Sequence, residues 1–564
     1  MWTVLCGILY STLVVRADLD VCLKDQGCLR GTMMPGYRGD AFEAFMGIPF
    51  AQPPIKDLRF QNPVAANGWE GILNASVPHT SCLQKCYFLR TWPVFGDEDC
   101  LYLNVYRPVV SQEDQSAHSL PVMVYFHSGG FACGSSDPHS VGPEYLMDTQ
   151  QVILVTTNNR LGPFGFLSTG DRHMSGNFGF KDQRLALQWV QQHIASFGGD
   201  PDLVTIFGHS AGGMSSHLHM LSPNSKGLFH RTISLSGTAL SAMVRVRDPL
   251  AQARQLAEQV GVPQWSSLDT QQLAESLREV DALKILEGGD IFKVWNNGPL
   301  VNYAAVVEQD ATSESFFNED FVESHMAGRI HQVPWLLGIS SRAGEGALFL
   351  LHIYTNPQFL KEFNENFLEF FPLTLYLPEG TSTDTVKDLL ALYDVQEMEL
   401  NERTIVPLSN IVGDFDFLYP LYASAEKYAG YTQEPLSIYS FEYRSQSNIS
   451  FSRAYSEGIV QPELLPAHMD DGLHTIRMPI LLPDFPKDSE DNLVTKRLTS
   501  LLVEFAKTGV FYNETKLPAC KAVDFTTEEM CKYLRFGQQN GVYQETIERS
   551  MDLRGLPLWK KLYL

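Results

Sequence analysis

A serine set among glycines, Gly208-His209-Ser210-Ala211-Gly212, follows the apolar run Leu203-Val204-Thr205-Ile206-Phe207 and precedes a helix-like stretch. That is the setting of a nucleophile held on a sharp strand-to-helix turn. The pattern alone is weak, since a chain of this composition contains about 0.2 copies by chance. Small residues at Ala211, Gly212 and Gly213 strengthen it, because they let strand and helix pack closely around an exposed hydroxyl. A serine hydroxyl needs a base, and the base needs an acid to orient it, in the chain order serine, acid, histidine for this type of turn. Glu345, between Gly344 and Gly346 directly after the strand Val333 to Ile339, is the candidate acid, and His468 in the loop Ala467-His468-Met469-Asp470-Asp471 the candidate base. Among 65 acidic residues and 15 histidines neither stands out alone; order and position together single them out. Hydrolysis by acyl transfer also needs donors for an oxyanion, and Phe126-His127-Ser128-Gly129-Gly130-Phe131 has the glycine-rich form that bares backbone N–H groups. Gly129, Gly130 and Ala211 are the candidate donors.

The elements that must position these groups alternate along the chain. Strand-like runs at Pro121 to Phe126, Gln151 to Thr157, Leu203 to Phe207, Thr232 to Leu235, Val333 to Ile339 and Ser437 to Tyr443 are separated by helical patterns, which predicts an α/β, largely parallel sheet with helices on both faces. Asp182 to Ala195 places Leu185, Ala186, Trp189 and Val190 on one helical face, and Leu498, Leu501, Leu502 and Phe505 repeat at helical spacing before a stop at Gly509. The stretch from Asp248 to Thr385 is mostly amphipathic helix and loop and is expected to cap the sheet. The phenylalanines between Phe349 and Phe371 are expected to be mainly helix core.

Composition narrows the class. Apolar residues at 44% are ample for a large core across 564 residues, no linker or repeat divides the chain, and a net charge of −23 argues against a nucleic-acid partner. Residues 1–17 combine an apolar-rich stretch from Val4 to Val15 with small or apolar residues at Val15 and Ala17, and are expected to be a cleaved secretory signal, leaving residues 18–564 as a single domain. No later run is long and apolar enough for a membrane anchor. Sequons at Asn74, Asn448 and Asn513 fit a secreted, extracellular glycoprotein. Loss of the leader removes Cys6 and leaves eight cysteines for an oxidising compartment. Proximity favours Cys22 with Cys28 and Cys520 with Cys531, leaving Cys82, Cys86, Cys100 and Cys133 to be shared out. None has zinc-site spacing, and no metal is expected.

Beyond the serine turn, Glu98-Asp99-Cys100-Leu101-Tyr102-Leu103-Asn104-Val105-Tyr106, Asn159-Arg160-Leu161-Gly162-Pro163 and Asp182-Gln183-Arg184 resemble the type-B carboxylesterases, over about Val21 to Thr508. The resemblance implies an α/β-hydrolase fold, a Ser210–Glu345–His468 triad, a Cys82–Cys100 disulfide, small-molecule esters as partners and no cofactor. Gly31-Thr32, Phe42 to Pro49, Ser341 to Gly346 and His468 to Arg477 are most similar to insect juvenile hormone esterases, which hydrolyse the methyl ester of a long terpenoid acid. Three departures stand out: His209 where many members have glutamine, Ser128 for the first glycine of the oxyanion run, and Leu465 for the glycine three before the histidine. Ser128 is expected to strain a backbone that favours positive φ and so to tilt specificity toward smaller esters. Glu345 is expected to raise the pKa of His468 above that of an unperturbed imidazole. The rival from another class is a catalytically silent binding or adhesion protein on the same fold.

Overall fold

The computed structural model describes residues 19–89, 93–109, 119–309, 312–377, 380–456, 461–513, 516–520, 531–549 and 556–563. The leader expected at 1–17 lies outside them, as do Glu514 and Thr515 of the third sequon. An eleven-stranded sheet organises the chain: β1 (Thr32–Pro35), β2 (Ala41–Pro49), β3 (Tyr102–Pro108), β4 (Leu120–Phe126), β5 (Ile153–Thr157), β6 (Gly199–His209), β7 (Arg231–Leu235), β8 (Trp335–Ile339), β9 (Leu436–Phe441), β10 (Tyr533–Gln539) and β11 (Val542–Glu548). Its order is β11-β10-β9-β8-β7-β6-β4-β5-β3-β2-β1, parallel from β5 through β10 and antiparallel at both edges.

The helices that cover or cap this sheet include α1 (Phe178–His193), α2 (Ala211–Leu221), α3 (Phe321–Met326), α4 (Arg342–Tyr354), α5 (Ile405–Gly413), α6 (Tyr419–Tyr431), α7 (Glu490–Thr508) and α8 (Leu556–Tyr563). The central strands are apolar almost without interruption because both faces are covered: β4 reads Leu-Pro-Val-Met-Val-Tyr-Phe and only Leu120 is not buried. Alternate residues of β4 enter different cores. Val122 and Val124 pack with Ala186, Leu187, Trp189 and Val190 of α1, whereas Met123 and Tyr125 pack with Leu498, Leu501, Leu502 and Phe505 of α7. Ser489 caps the start of α7, and Gly509 at φ 75° closes it by donating to Phe505 O.

The cap runs further than composition indicates. Helical packing continues past Thr385 to the end of α6 at Tyr431, interrupted by a π-turn at Asp414–Leu418. Ile405, Leu408, Ile411 and Val412 of α5 join Phe363, Phe367 and Phe371 in a separate core, so these phenylalanines support the cap and do not line the site. Four disulfides staple the chain, Cys22–Cys28, Cys82–Cys100, Cys86–Cys133 and Cys520–Cys531. Asn74, Asn448 and Asn513 are all exposed.

Candidate active site

Three parallel strands deliver the candidate groups at their carboxyl ends, where open α/β sheets place ligands. β6 ends at His209, Ser210 turns the chain, and α2 begins at Ala211. Ser210 adopts φ 57°, ψ −123°, a region costly by about 1–3 kcal/mol for a residue with a side chain, and its N–H donates to Leu235 O at 2.8 Å. The turn is this tight because a Cβ on Gly212 would lie 2.0 Å from Phe126 O, at the end of the neighbouring strand. Glu345 follows the strand β8 closely, as its place in the sequence indicates. It occupies the first turn of α4, directly after β8, because Ser341 caps the helix by accepting from Gly344 N at 3.2 Å. His468 sits in a turn tied to that helix by its N–H bond to Gly344 O at 3.1 Å.

Glu345 is fully buried and receives three donors: His468 Nδ1 at 2.5 Å to Oε2, and Ser236 Oγ at 2.5 Å and Ser340 N at 2.7 Å to Oε1. This fixes the imidazole with Nε2 outward. His468 Nε2 is buried without a hydrogen-bond partner among the described residues, and no hydrogen bond joins it to Ser210, although both residues line the same cavity. Catalytic contacts are often open until substrate arrives. The expected rise in the His468 pKa is overturned: burial lowers it, and although Glu345 pulls it upward, the result lies below 6.5. The sequence displays the carboxylate but not the depth of the ring.

Around the ring are groups that no motif announced. Asp471 accepts from His209 Nε2 at 2.9 Å and from Tyr439 OH at 2.7 Å, and the His209 ring meets the His468 ring edge to face at 4.8 Å. Burial pushes the Asp471 carboxyl up, but His209, Tyr439 and His468 outweigh it and hold it below 3.8. Asp470 accepts from Ser450 Oγ, Phe451 N and Ala467 N and so pins the histidine turn, while burial raises its pKa to about 7. Phe417 packs on the other side of His468, at 4.7 Å between centroids.

The N–H groups of Gly129, Gly130 and Ala211 make no hydrogen bond among the described residues, which leaves them available as oxyanion donors. Gly129 takes φ 112°, and a Cβ there would lie 2.0 Å from Cys133 O. Ser128 does not take a positive φ, so the strain expected of it is absent: Gly129 and Gly130 absorb the unusual conformation, and Ser128 adds a polar side chain to the wall. Gln84 and the Cys86–Cys133 disulfide anchor this loop, Gln84 exchanging hydrogen bonds with Gly134 N and O.

The cavity measures about 450 Å³ and is walled mainly by apolar side chains, among them Phe88, Leu348, Phe451, Met469, Met478 and Leu481. Phe95 and Ile480, 42% and 67% exposed, mark its mouth. A larger hollow of about 590 Å³ lies behind the acid turn with Arg342, Glu442 and Arg444 in its lining, but neither Ser210 nor His468 reaches it. Among the described residues no cluster of histidine, cysteine or acidic side chains is arranged to hold a metal.

Residues 18–554 match the carboxylesterase family model. The chain belongs to the carboxylesterase family. It is 36% identical over 503 residues to a juvenile hormone esterase of Tribolium castaneum, covering 86% of this chain and 82% of that one, and 33% identical to esterase E4 of Myzus persicae, covering 90% of each. The crystal structure of juvenile hormone esterase from Manduca sexta, with OTFP covalently attached, superposes with a TM-score of 0.80 over 97% of this chain and 99% of that one at 24% identity. The fold is the α/β-hydrolase fold, and family membership supports ester hydrolysis. No helix among the described residues is long and apolar enough to cross a membrane.

Proposed function

We propose that residues 18–564 form one secreted, glycosylated serine carboxylesterase domain that works through an acyl-enzyme. Ser210 attacks the ester carbonyl, His468 Nε2 takes its proton and passes it to the leaving alcohol, and Glu345 holds the imidazolium. The N–H groups of Gly129, Gly130 and Ala211 receive the oxyanion, and water then repeats the path to release the acid. The observation that carries this reading is the Glu345–His468 hydrogen bond, which aims an unpartnered Nε2 at the apolar cavity lined by Ser210. No metal or redox group is required. The apolar walls favour an ester with a long hydrocarbon part, juvenile hormone or a smaller aliphatic ester.

An organophosphonate followed by mass spectrometry tests the mechanism. Wild-type protein is expected to carry the adduct on Ser210, and Ser210→Ala to lose both labelling and hydrolysis while keeping its melting temperature. Labelling of a different serine would overturn the assignment of Ser210, and no labelling at all would return the chain to the class of silent binding proteins. A panel of juvenile hormone against short aliphatic and aryl esters then fixes the substrate.

A further inference from the structure

The π-turn at Asp414–Leu418 has two working sides. Phe417 faces His468, whereas Phe415 lines a second cavity, of about 250 Å³, that holds none of the groups placed in the reaction. Five parts of the chain enclose it: the segment after β7, helix α3, Tyr376, the run from Phe415 into α6, and helix α8. Leu240, Phe321, Val322 and Phe415 make its walls apolar. Four cations, Arg245, Arg247, Lys427 and Lys560, also line it, against a single carboxylate, Glu426.

This charge distribution runs against the molecule. Acidic residues outnumber basic ones 65 to 42 in the chain, yet here cations prevail four to one. Arg245 is partly committed, pairing with Asp320 at 2.5 Å. Arg247 and Lys427 have no carboxylate partner among the described residues. Apolar walls with unspent cations beside them complement one ligand chemistry, a hydrocarbon ending in an anion: the walls take the chain by area burial, and the guanidinium and ammonium groups take the carboxylate by charge-assisted hydrogen bonds.

We propose that this cavity is a binding site for amphipathic carboxylates, long-chain acids of the kind that ester hydrolysis releases, separate from the catalytic cavity. The suggestion that such acids arise on the enzyme itself rests on the esterase reading; the site's chemistry does not. Its occupant lies against Phe415, on the same turn whose Phe417 packs on His468.

The test is a fluorescence titration with cis-parinaric acid on the full chain whose catalytic serine has first been blocked by an organophosphonate. Saturable binding is expected to persist after blocking. Arg247→Glu with Lys427→Glu is expected to weaken it by about tenfold or more, since two charge-assisted contacts are lost and two repulsions added. Decanoic acid should displace the probe, and decanol should do so about tenfold less well. Displacement by the acid released from the best ester substrate identifies product as the source; displacement by fatty acid alone identifies lipid. The proposal is overturned if the charge reversal leaves binding unchanged with hydrolysis intact, or if the phosphonate abolishes binding, which would put the probe in the catalytic cavity. If the phosphonate fails to label Ser210, the esterase reading fails instead, and the charge-reversed variant still decides this one on unblocked protein.

Discussion

Two turns meet the imidazole of His468, and each brings a carboxyl group that is completely buried. The turn after β8 supplies Glu345, on which Ser236 Oγ, Ser340 N and His468 Nδ1 converge. The π-turn supplies Phe417, tilted against the ring, and beside it Asp416, whose two oxygens have no partner among the described residues. Burial pushes the Asp416 carboxyl well above its usual range. Its neighbour Asp414, one turn position away, pairs with Arg342 at 2.7 Å and accepts from Tyr393. Burial is common to the two carboxyl groups and does not by itself orient either of them. What Glu345 has and Asp416 lacks is a set of donors that hold a carboxylate in one orientation.

Swapping each acid for its amide separates the two carboxyl groups. Glu345→Gln is expected to lower kcat by roughly 10³–10⁴-fold with little change in KM, because the amide favours the wrong tautomer of His468 and stabilises no imidazolium. Asp416→Asn is expected to change kcat by less than about threefold, as it contributes no oriented group to the site. Equal losses in the two variants would show that a buried charge near the ring matters more than the bond to Nδ1.

The next effect is in the pH profile of kcat/KM. In the proposed mechanism His468 must be neutral to act as base, and its pKa is lowered by burial against the pull of Glu345, so the acidic limb is expected below 6.5. His209 contributes to that lowering by like charge across the edge-to-face contact. His209→Gln is therefore expected to move the limb upward while leaving the plateau close to wild type. A limb that stays in place, measured on an ester for which acylation limits the rate, removes His209 from any role in tuning the base.

The legible part of this site lay in groups whose neighbours along the chain declare them. Ser210 stands between glycines after an apolar run, Glu345 follows a strand, and the glycines of the oxyanion loop follow another. What stayed hidden depends on contacts between distant positions: Ser236 reaches Glu345 across 109 residues, and His209 reaches Asp471 across 262. The alternation of strands and helices showed the layered sheet, because periodicity is local. It did not show how far the cap extends, because α5 is apolar nearly all round, Ile-Val-Pro-Leu-Ser-Asn-Ile-Val-Gly, and declares no face. Ser128 misled for a related reason, since which residue of a glycine-rich turn takes the positive φ is decided by packing: Cys133 O leaves no room for a Cβ at Gly129.

The smallest effect on activity belongs to Asp416, and there the comparison is best read in stability. Its carboxyl is raised well above 3.8 in the folded chain, so between 3.8 and that folded value the native state holds a proton that the unfolded state has released. By linkage, stability from this group is fully present below 3.8 and drains away as pH rises, by up to about 1.4 kcal/mol per pH unit until the folded pKa is reached. Asn mimics the protonated acid and does not titrate. Asp416→Asn is therefore expected to match wild type near pH 4 and to melt progressively higher than wild type as pH rises above that, until the folded pKa is passed, the opposite of what removing an acid from an ion pair does. Thermal melts of the two proteins across that range check it. A difference in melting temperature that does not grow with pH would mean that Asp416 is not held neutral by the fold, and the contrast with Glu345 would then lie in orientation alone.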